Sequence, residues 1–331
     1  MSRGGIGATL RGTGLEVPEK VVTNADFEKF IDTTDEWITT RTGIKERRMC
    51  EEGQNTADLA AGAGTRALEE AGIDPLDLDV IVLSTATPDH LLPSTSCEAQ
   101  ALMGAHNAVA FDVSAACAGW LYGVKIADGF LRSDGFETIL VIGAEKMSAI
   151  IDYTDRTTCV LFGDGAGAAL FGRSGENGSS ILSTHMQTDG RLAELLWRPA
   201  GGAARPSTEE TRAERMEYVR QEGREVFKNA VLQMDTSSRI ALHRAGLTID
   251  DIDLVVPHQA NIRIIEGVAK RLGVEMDRVY VNIDRYGNTS SASIPIGLDE
   301  VRKRELVGEG ATILMTAFGG GLAWGSMVFR L

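Results

Sequence analysis

The chain has 331 residues, 43% hydrophobic and 24% charged, and its 33 Lys and Arg against 47 Asp and Glu give a net charge of −14. That length holds one large domain or two of ordinary size. The acidic balance argues against general nucleic-acid binding, which needs a basic footprint, and no apolar run approaches the roughly 18 residues of a membrane span. The opening residues, Met1 to Gly7, lack the apolar core of a signal peptide, so the expected compartment is the cytoplasm. Four widely spaced cysteines, Cys50, Cys97, Cys117 and Cys159, form no C-x-x-C pair. Free thiols are therefore expected, with neither a zinc site nor a dithiol motif.

In chain order, a helical pattern from Thr56 to Glu70 leads through Ala71-Gly-Ile-Asp-Pro into an apolar strand ending at Leu83. A second apolar run, Ala108 to Val113, predicts a short buried strand. It is followed by Ser114-Ala-Ala-Cys117-Ala-Gly119 and then by a helix with Trp120, Leu121 and Val124 on one face. A cysteine at this turn sits at a helix N-terminus, where free N–H groups and the macrodipole favour negative charge. That position predicts a lowered thiol pKa and a nucleophile, with a buried structural cysteine as the competing reading. The small flanking residues leave room for a substrate. Another strand is expected at Thr138-Ile-Leu-Val-Ile-Gly143. Neither Gly62-Ala-Gly64 nor Gly163-Asp-Gly-Ala-Gly167 completes a dinucleotide fingerprint. Trp197 to Glu214, with its Pro and Gly residues, predicts a polar surface loop.

The second half repeats these phrases. A helical pattern from Val226 to Arg244 leads through Ala245-Gly into a strand ending at Val256. Ile283-Asp-Arg-Tyr286 matches Phe111-Asp-Val-Ser114, and Thr312-Ile-Leu-Met-Thr-Ala317 matches Thr138 to Gly143. Three matches in the same order favour a diverged duplication dividing near residue 180, built from parallel sheets covered by helices. His258 follows a strand, and Asn288 lies in a small-residue turn near the expected mate of Cys117. Taken alone, each has a structural reading, a hydrogen-bonded histidine and an N-cap. Together with Cys117 they form a polar group at strand C-terminal ends, where α/β sheets place their sites. Gly319-Gly-Gly321 lets backbone N–H groups approach a ligand oxygen, so that the N–H of Gly320 with that of Cys117 would form an oxyanion hole. A tight hairpin turn is the alternative.

The motifs Ser-Ala-Ala-Cys117-Ala-Gly, His258-Gln-Ala-Asn-Ile-Arg263, Tyr-Gly-Asn288-Thr-Ser-Ser-Ala-Ser and Phe318-Gly-Gly-Gly resemble the β-ketoacyl-[acyl-carrier-protein] synthase III family. The likeness covers nearly the whole chain. It implies the α/β thiolase-like fold, two similar halves (1–180 carrying Cys117, 181–331 carrying His258 and Asn288) stacked as a five-layer α-β-α-β-α sandwich, and a homodimer. The implied reaction is a decarboxylative Claisen condensation of a short acyl-CoA with malonyl-acyl-carrier protein in type II fatty acid synthesis, with no metal or redox cofactor. Cys117, His258 and Asn288 are then the catalytic set. Trp37, Arg41 and Arg156 resemble the CoA-binding residues, and Leu92 the residue that closes the acyl pocket across the dimer. Gln259, Ala260, Asn261, Ile262 and Arg263, with Arg224 and Lys228, are the implied dock for an acidic carrier protein. Arg220, Arg224 and Lys228 fall at one helical face, and Lys270 and Arg271 extend the basic cluster. The late glycine region has no second cysteine, which disfavours a thiolase reaction. Elongating synthases place His where Asn288 stands. A polyketide-priming synthase and a non-catalytic acyl-CoA or carrier-protein binder remain as alternatives.

Overall fold

A computed structural model describes residues 7–133, 135–174 and 180–331. Residues 1–6, read above for a signal peptide, lie outside the described residues. Five strands form the first sheet: β1 (Ala8–Glu16), β2 (Val80–Ser84), β3 (Val109–Val113), β4 (Thr138–Glu145) and β5 (Gly165–Arg173), in the order β1-β5-β4-β2-β3. Four form the second: β6 (Ile181–Thr188), β7 (Leu254–Pro257), β8 (Thr312–Gly319) and β9 (Ala323–Arg330), in the order β7-β8-β9-β6.

The sheets are mixed, where sequence periodicity predicted parallel ones. β2 runs parallel to β3 and β4, and β7 to β8, but β1/β5, β4/β5, β8/β9 and β9/β6 are antiparallel. Only three residues join β8 to β9, too few for the crossover that a parallel pair needs.

The duplication is visible in the register. Val80 pairs with Ile139, and Leu254 pairs with Ile313 at the equivalent place. One of the three sequence matches was misplaced. Ile283–Tyr286 is a short helix, and the counterpart of β3 is a single parallel bridge between Val255 and Val279.

Alternation along the strands builds the layers. Val80, Val82, Ile139 and Val141 face inward with Ile313, Met315 and Met327 of the second sheet. Between them lie α4 (Gly119–Arg132), through Trp120, Leu121 and Val124, and α7 (Ser293–Lys303), through Ile294, Leu298 and Val301. The opposite faces carry Ile81, Leu83, Leu140 and Ile142 under α2 (Thr56–Ala71) and α3 (Thr95–Met103). Val255, Leu314 and Val328 lie under α5 (Gly223–Ala245) and α6 (Ile262–Leu272). This is the five-layer α-β-α-β-α sandwich. The two central helices start side by side at the strand ends, and the site lies there. β3 is not the buried strand expected. It is a sheet edge, and Val109 is 54% exposed.

Candidate active site

Cys117 lies in a 3₁₀ turn, Ala116–Ala118, that runs directly into α4. Ala116 has φ 45°, a left-handed conformation that a residue with a Cβ adopts only under constraint. Ser290 has φ 50° at the matching point before α7. The pseudo-symmetric mate of Cys117 is thus Ser291, three residues beyond Asn288. The chain at Gly319 passes so close that a Cβ there would stand 2.5 Å from the Cys117 nitrogen. The thiol is nearly buried, and burial pushes its pKa up to about 12, with the Glu145 charge adding and a hydrogen bond from Ser290 opposing. This corrects the expected lowered pKa: the resting group is a thiol, because desolvation outweighs the helix terminus.

His258 is fixed at the end of β7 by its N–H donating to the Thr316 carbonyl at 2.8 Å. Its Nδ1 meets Ser293 Oγ at 2.6 Å, and that oxygen also accepts the Gln259 N–H at 3.4 Å. When the Ser293 hydroxyl donates to Nδ1, the ring carries its proton on Nε2. Nε2 is buried and has no partner. Burial lowers the ring pKa to about 3, so the imidazole is neutral. Asn288 uses its Oδ1 to accept the Ser290 N–H at 2.8 Å, an Asx-type turn. Its Nδ2 is left to donate. The capping role expected of a lone Asn and a donor role therefore coexist.

Cys117, His258, Asn288, Ser290 and Gly320 line one cavity of about 380 Å³, whose wall is mostly apolar. Gly320 begins the turn between β8 and β9, so the glycine run is both a hairpin and a cavity wall. Trp37 and Arg41, on α1 (Asp35–Thr42), line the mouth. The Arg41 guanidinium stands 4.5 Å from the Trp37 ring centroid and that of Arg156 5.3 Å, and Arg156 also donates to the Asp32 carbonyl. A flat base between Trp37 and Arg156 needs about 7 Å, two van der Waals contacts, so this pair has to open to take one.

The family description 3-oxoacyl-[acyl-carrier-protein (ACP)] synthase III matches residues 111–190, and its C-terminal counterpart matches residues 242–331. The chain is 51% identical to β-ketoacyl-[acyl-carrier-protein] synthase III of Caldanaerobacter subterraneus over 325 residues, 98% of each protein. It superposes on the crystal structure of the 3-oxoacyl-[acyl-carrier-protein] synthase III of Aquifex aeolicus with a TM-score of 0.90 at 48% identity, covering 98% of this chain and 100% of that one. The chain belongs to the β-ketoacyl-[acyl-carrier-protein] synthase III family. The priming β-ketosynthase of the R1128 polyketide pathway is also similar, with a TM-score of 0.90 at 37% identity over 98% of this chain and 96% of that one.

In this synthase the expected carrier-protein dock divides. Arg224 and Lys228 are exposed on α5, whose residues Val226 and Phe227 line the cavity, and Arg263 is exposed on α6 and donates to the Thr40 carbonyl. Ala260 and Asn261 line the mouth, and Asn261 caps α6 by accepting the Arg263 N–H; Ile262 is half-buried. Gln259 is a correction. It is 1% exposed, and its amide is spent on the backbone of Pro257, Tyr280 and Asn282. It braces the turn after His258 and offers nothing to a partner surface. Arg220 is a second correction, because it lies in a two-residue strand before α5 and not on the helix face. Arg271 is paired with Asp235. Leu92 is 88% exposed and does not line this chain's own cavity.

Sequence reading missed part of the wall. Leu196 and Trp197 line the cavity, Trp197 opening the segment read as a polar loop, which also holds a short helix, Glu209–Ala213. The apolar pair Leu196-Trp197 just ahead of Pro199 was the available signal. Glu145, at the end of β4, was missed as well.

Proposed function

We propose that this condensing acyltransferase works through an acyl-enzyme on Cys117. The sulfur, as thiolate, attacks the thioester carbonyl of a short acyl-CoA. The C–S bond to CoA breaks, and CoA leaves as its thiolate. Malonyl-acyl-carrier protein follows and loses CO₂, and the electron pair moves onto its thioester oxygen as an enolate. His258 Nε2–H and Asn288 Nδ2–H donate to that oxygen in a water-poor cavity, where such donors act most strongly. A neutral imidazole suits this role, since it stabilises the charge without passing on a proton. The enolate carbon then attacks the acyl-enzyme. The N–H groups of Cys117 and Gly320 hold the tetrahedral oxyanion, and its collapse releases a 3-ketoacyl-carrier protein and the cysteine thiolate.

The observation that carries this reading is the convergence on one apolar cavity of a thiol, an unpartnered Nε2 and a carboxamide with its oxygen already engaged. Trp37, Arg41 and Arg156 are proposed for the CoA nucleotide, and Arg224, Lys228 and Arg263 for an acidic carrier protein. The strands of the two sheets fall on either side of residue 180, which supports two halves, 1–180 and 181–331. The exposed edge β3 and the outward Leu92 support a homodimer in which Leu92 closes the partner's acyl pocket. A cytoplasmic location fits substrates of this kind; no helix among the described residues is long and apolar enough to cross a membrane.

The test is intact mass after incubation with acetyl-, isobutyryl- and hexanoyl-CoA, without malonyl-carrier protein. The wild type is expected to gain one acyl group and Cys117→Ser none. No gain with any of the three would overturn the CoA-primed reading and favour a carrier-protein-primed or non-catalytic role.

A further inference from the structure

Glu145 is fully buried at the end of β4, and its carboxylate collects donors from both halves of the chain. Oε1 meets Ser291 Oγ at 2.7 Å, Ser290 Oγ at 3.0 Å and the Ser291 N–H at 3.4 Å. Oε2 meets Thr87 Oγ1 at 2.8 Å, the Ala86 N–H at 3.0 Å and Thr85 Oγ1 at 3.3 Å. Burial pushes the carboxyl pKa up, and these donors pull against it. Ala86 and Ser290 both line the cavity. Ser290 and Cys117 line the same cavity, and the Ser290 hydroxyl lowers the thiol pKa against the larger effect of burial. One side chain thus ties the loop after β2 to the turn after Asn288, in the cavity wall that Cys117 shares.

The position has a meaning in the duplication. The register that pairs Val80 with Ile139 and Leu254 with Ile313 makes Gly319 the counterpart of Glu145. Gly319 leaves space beneath Cys117. Glu145, at the equivalent position, instead carries a side chain that bonds Ser290 and Ser291, in the half where the turn bears no nucleophile.

We propose that Glu145 is a positioning residue of the condensation, holding the Asn288–Ser291 turn and the Ser290 hydroxyl in register with the Cys117 sulfur. The proposal rests on the reading of Cys117 as the acylated residue. The donor set requires a carboxylate in particular. A glutamine would place its NH₂ at one end or the other, and each end faces a fixed backbone N–H, from Ala86 or from Ser291. Neither flip of the amide avoids a donor-to-donor clash, and a buried unsatisfied group forces the loops to shift.

The experiment compares wild type, Glu145→Gln, Ser290→Ala and the double variant, using whichever of acetyl-, isobutyryl- and hexanoyl-CoA best acylates the wild type. Misplacing reacting groups by about 1 Å costs about 100-fold, so Glu145→Gln is expected to lower kcat by about that factor while the acyl-CoA KM stays within about threefold. If Glu145 acts through Ser290, the double variant is no slower than Glu145→Gln alone. Ala116 shows that alanine is accommodated at a φ close to that of Ser290, so Ser290→Ala keeps the test usable if Glu145→Gln does not fold. That variant loses the hydroxyl that lowers the Cys117 pKa. With Glu145 and His258 as the other titratable groups facing the sulfur, its iodoacetamide alkylation curve is expected to move to higher pH. A wild-type kcat in Glu145→Gln, an effect confined to KM, multiplicative losses in the double variant, or an unmoved alkylation curve would each overturn the proposal. An unacylated wild type would instead sink the reading of Cys117 itself, and this role with it.

Discussion

At the scale of single residues, the site is a balance between burial and the charges that catalysis creates. Cys117 is pushed up to about 12 and His258 down to about 3 by the same desolvation. In the resting site both groups are neutral across the physiological range, and no thiolate–imidazolium pair forms. The direction of the pH dependence follows. Below a thiol pKa of about 12 the reactive thiolate fraction grows about tenfold for each pH unit. The imidazole contributes no titration near its ordinary value, because it stays neutral well below it. Single-turnover acylation of Cys117, followed by quenched intact mass from pH 6 to 9, is therefore expected to rise steadily without a plateau. A plateau with a midpoint near 6.5 would mean that His258 takes the thiol proton and that its pKa is restored once substrate enters.

At the scale of elements, the close packing of strand ends against helix starts sets the geometry. Gly319→Ala would put a methyl 2.5 Å from the Cys117 nitrogen, against backbone that cannot yield without moving Cys117. Gly308 has nothing within 4 Å of such a Cβ. Gly319→Ala is expected to lose acylation by about 100-fold, whereas Gly308→Ala keeps the wild-type rate; the acyl-enzyme mass assay reads both. Local pattern made much of this legible in advance. The apolar strands before Cys117 and His258, the glycine run and the turn at Asn288 are all short-range signals, and the structure brings these residues to one cavity. What was not legible depends on distant contacts. Nothing near Glu145 in sequence says that Ser290 and Ser291 will donate to it. Gln259 reads as polar and exposed until Tyr280 and Asn282 are seen to enclose it. Arg220 keeps helical spacing with Arg224, yet Gly223 starts the helix after it. Ile283 to Tyr286 imitates a strand end in composition, and only the register shows that the true counterpart of β3 is the bridge at Val279.

At the scale of the whole molecule, the second sheet is bounded by the bridge at Val279, but the first ends on β3 with its outer edge unpaired among the described residues. Unprotected edges recruit other strands, and proteins that keep one exposed generally use it. Val109 is 54% exposed on this edge, Leu102 is 58% exposed on α3, which packs against β3, and Leu91 and Leu92 project from the loop preceding α3 at 85% and 88%. A set of large apolar residues around one open strand is the pattern of an interface. The proposed homodimer would use it, since a two-fold axis lets the same edge meet itself antiparallel. It would also give Leu92 a cavity to enter, which its own subunit does not. Sedimentation is expected to give twice the mass of the chain. A Leu102→Glu/Val109→Glu variant, which adds charge to surface already exposed in the single subunit, is expected to sediment at the mass of one chain. If Leu92 closes the partner's acyl pocket, that monomer also loses selectivity among acetyl-, isobutyryl- and hexanoyl-CoA, while its Cys117 remains open to iodoacetamide. A monomeric wild type, or a monomeric variant with unchanged acyl selectivity, would show that each subunit builds its acyl pocket alone.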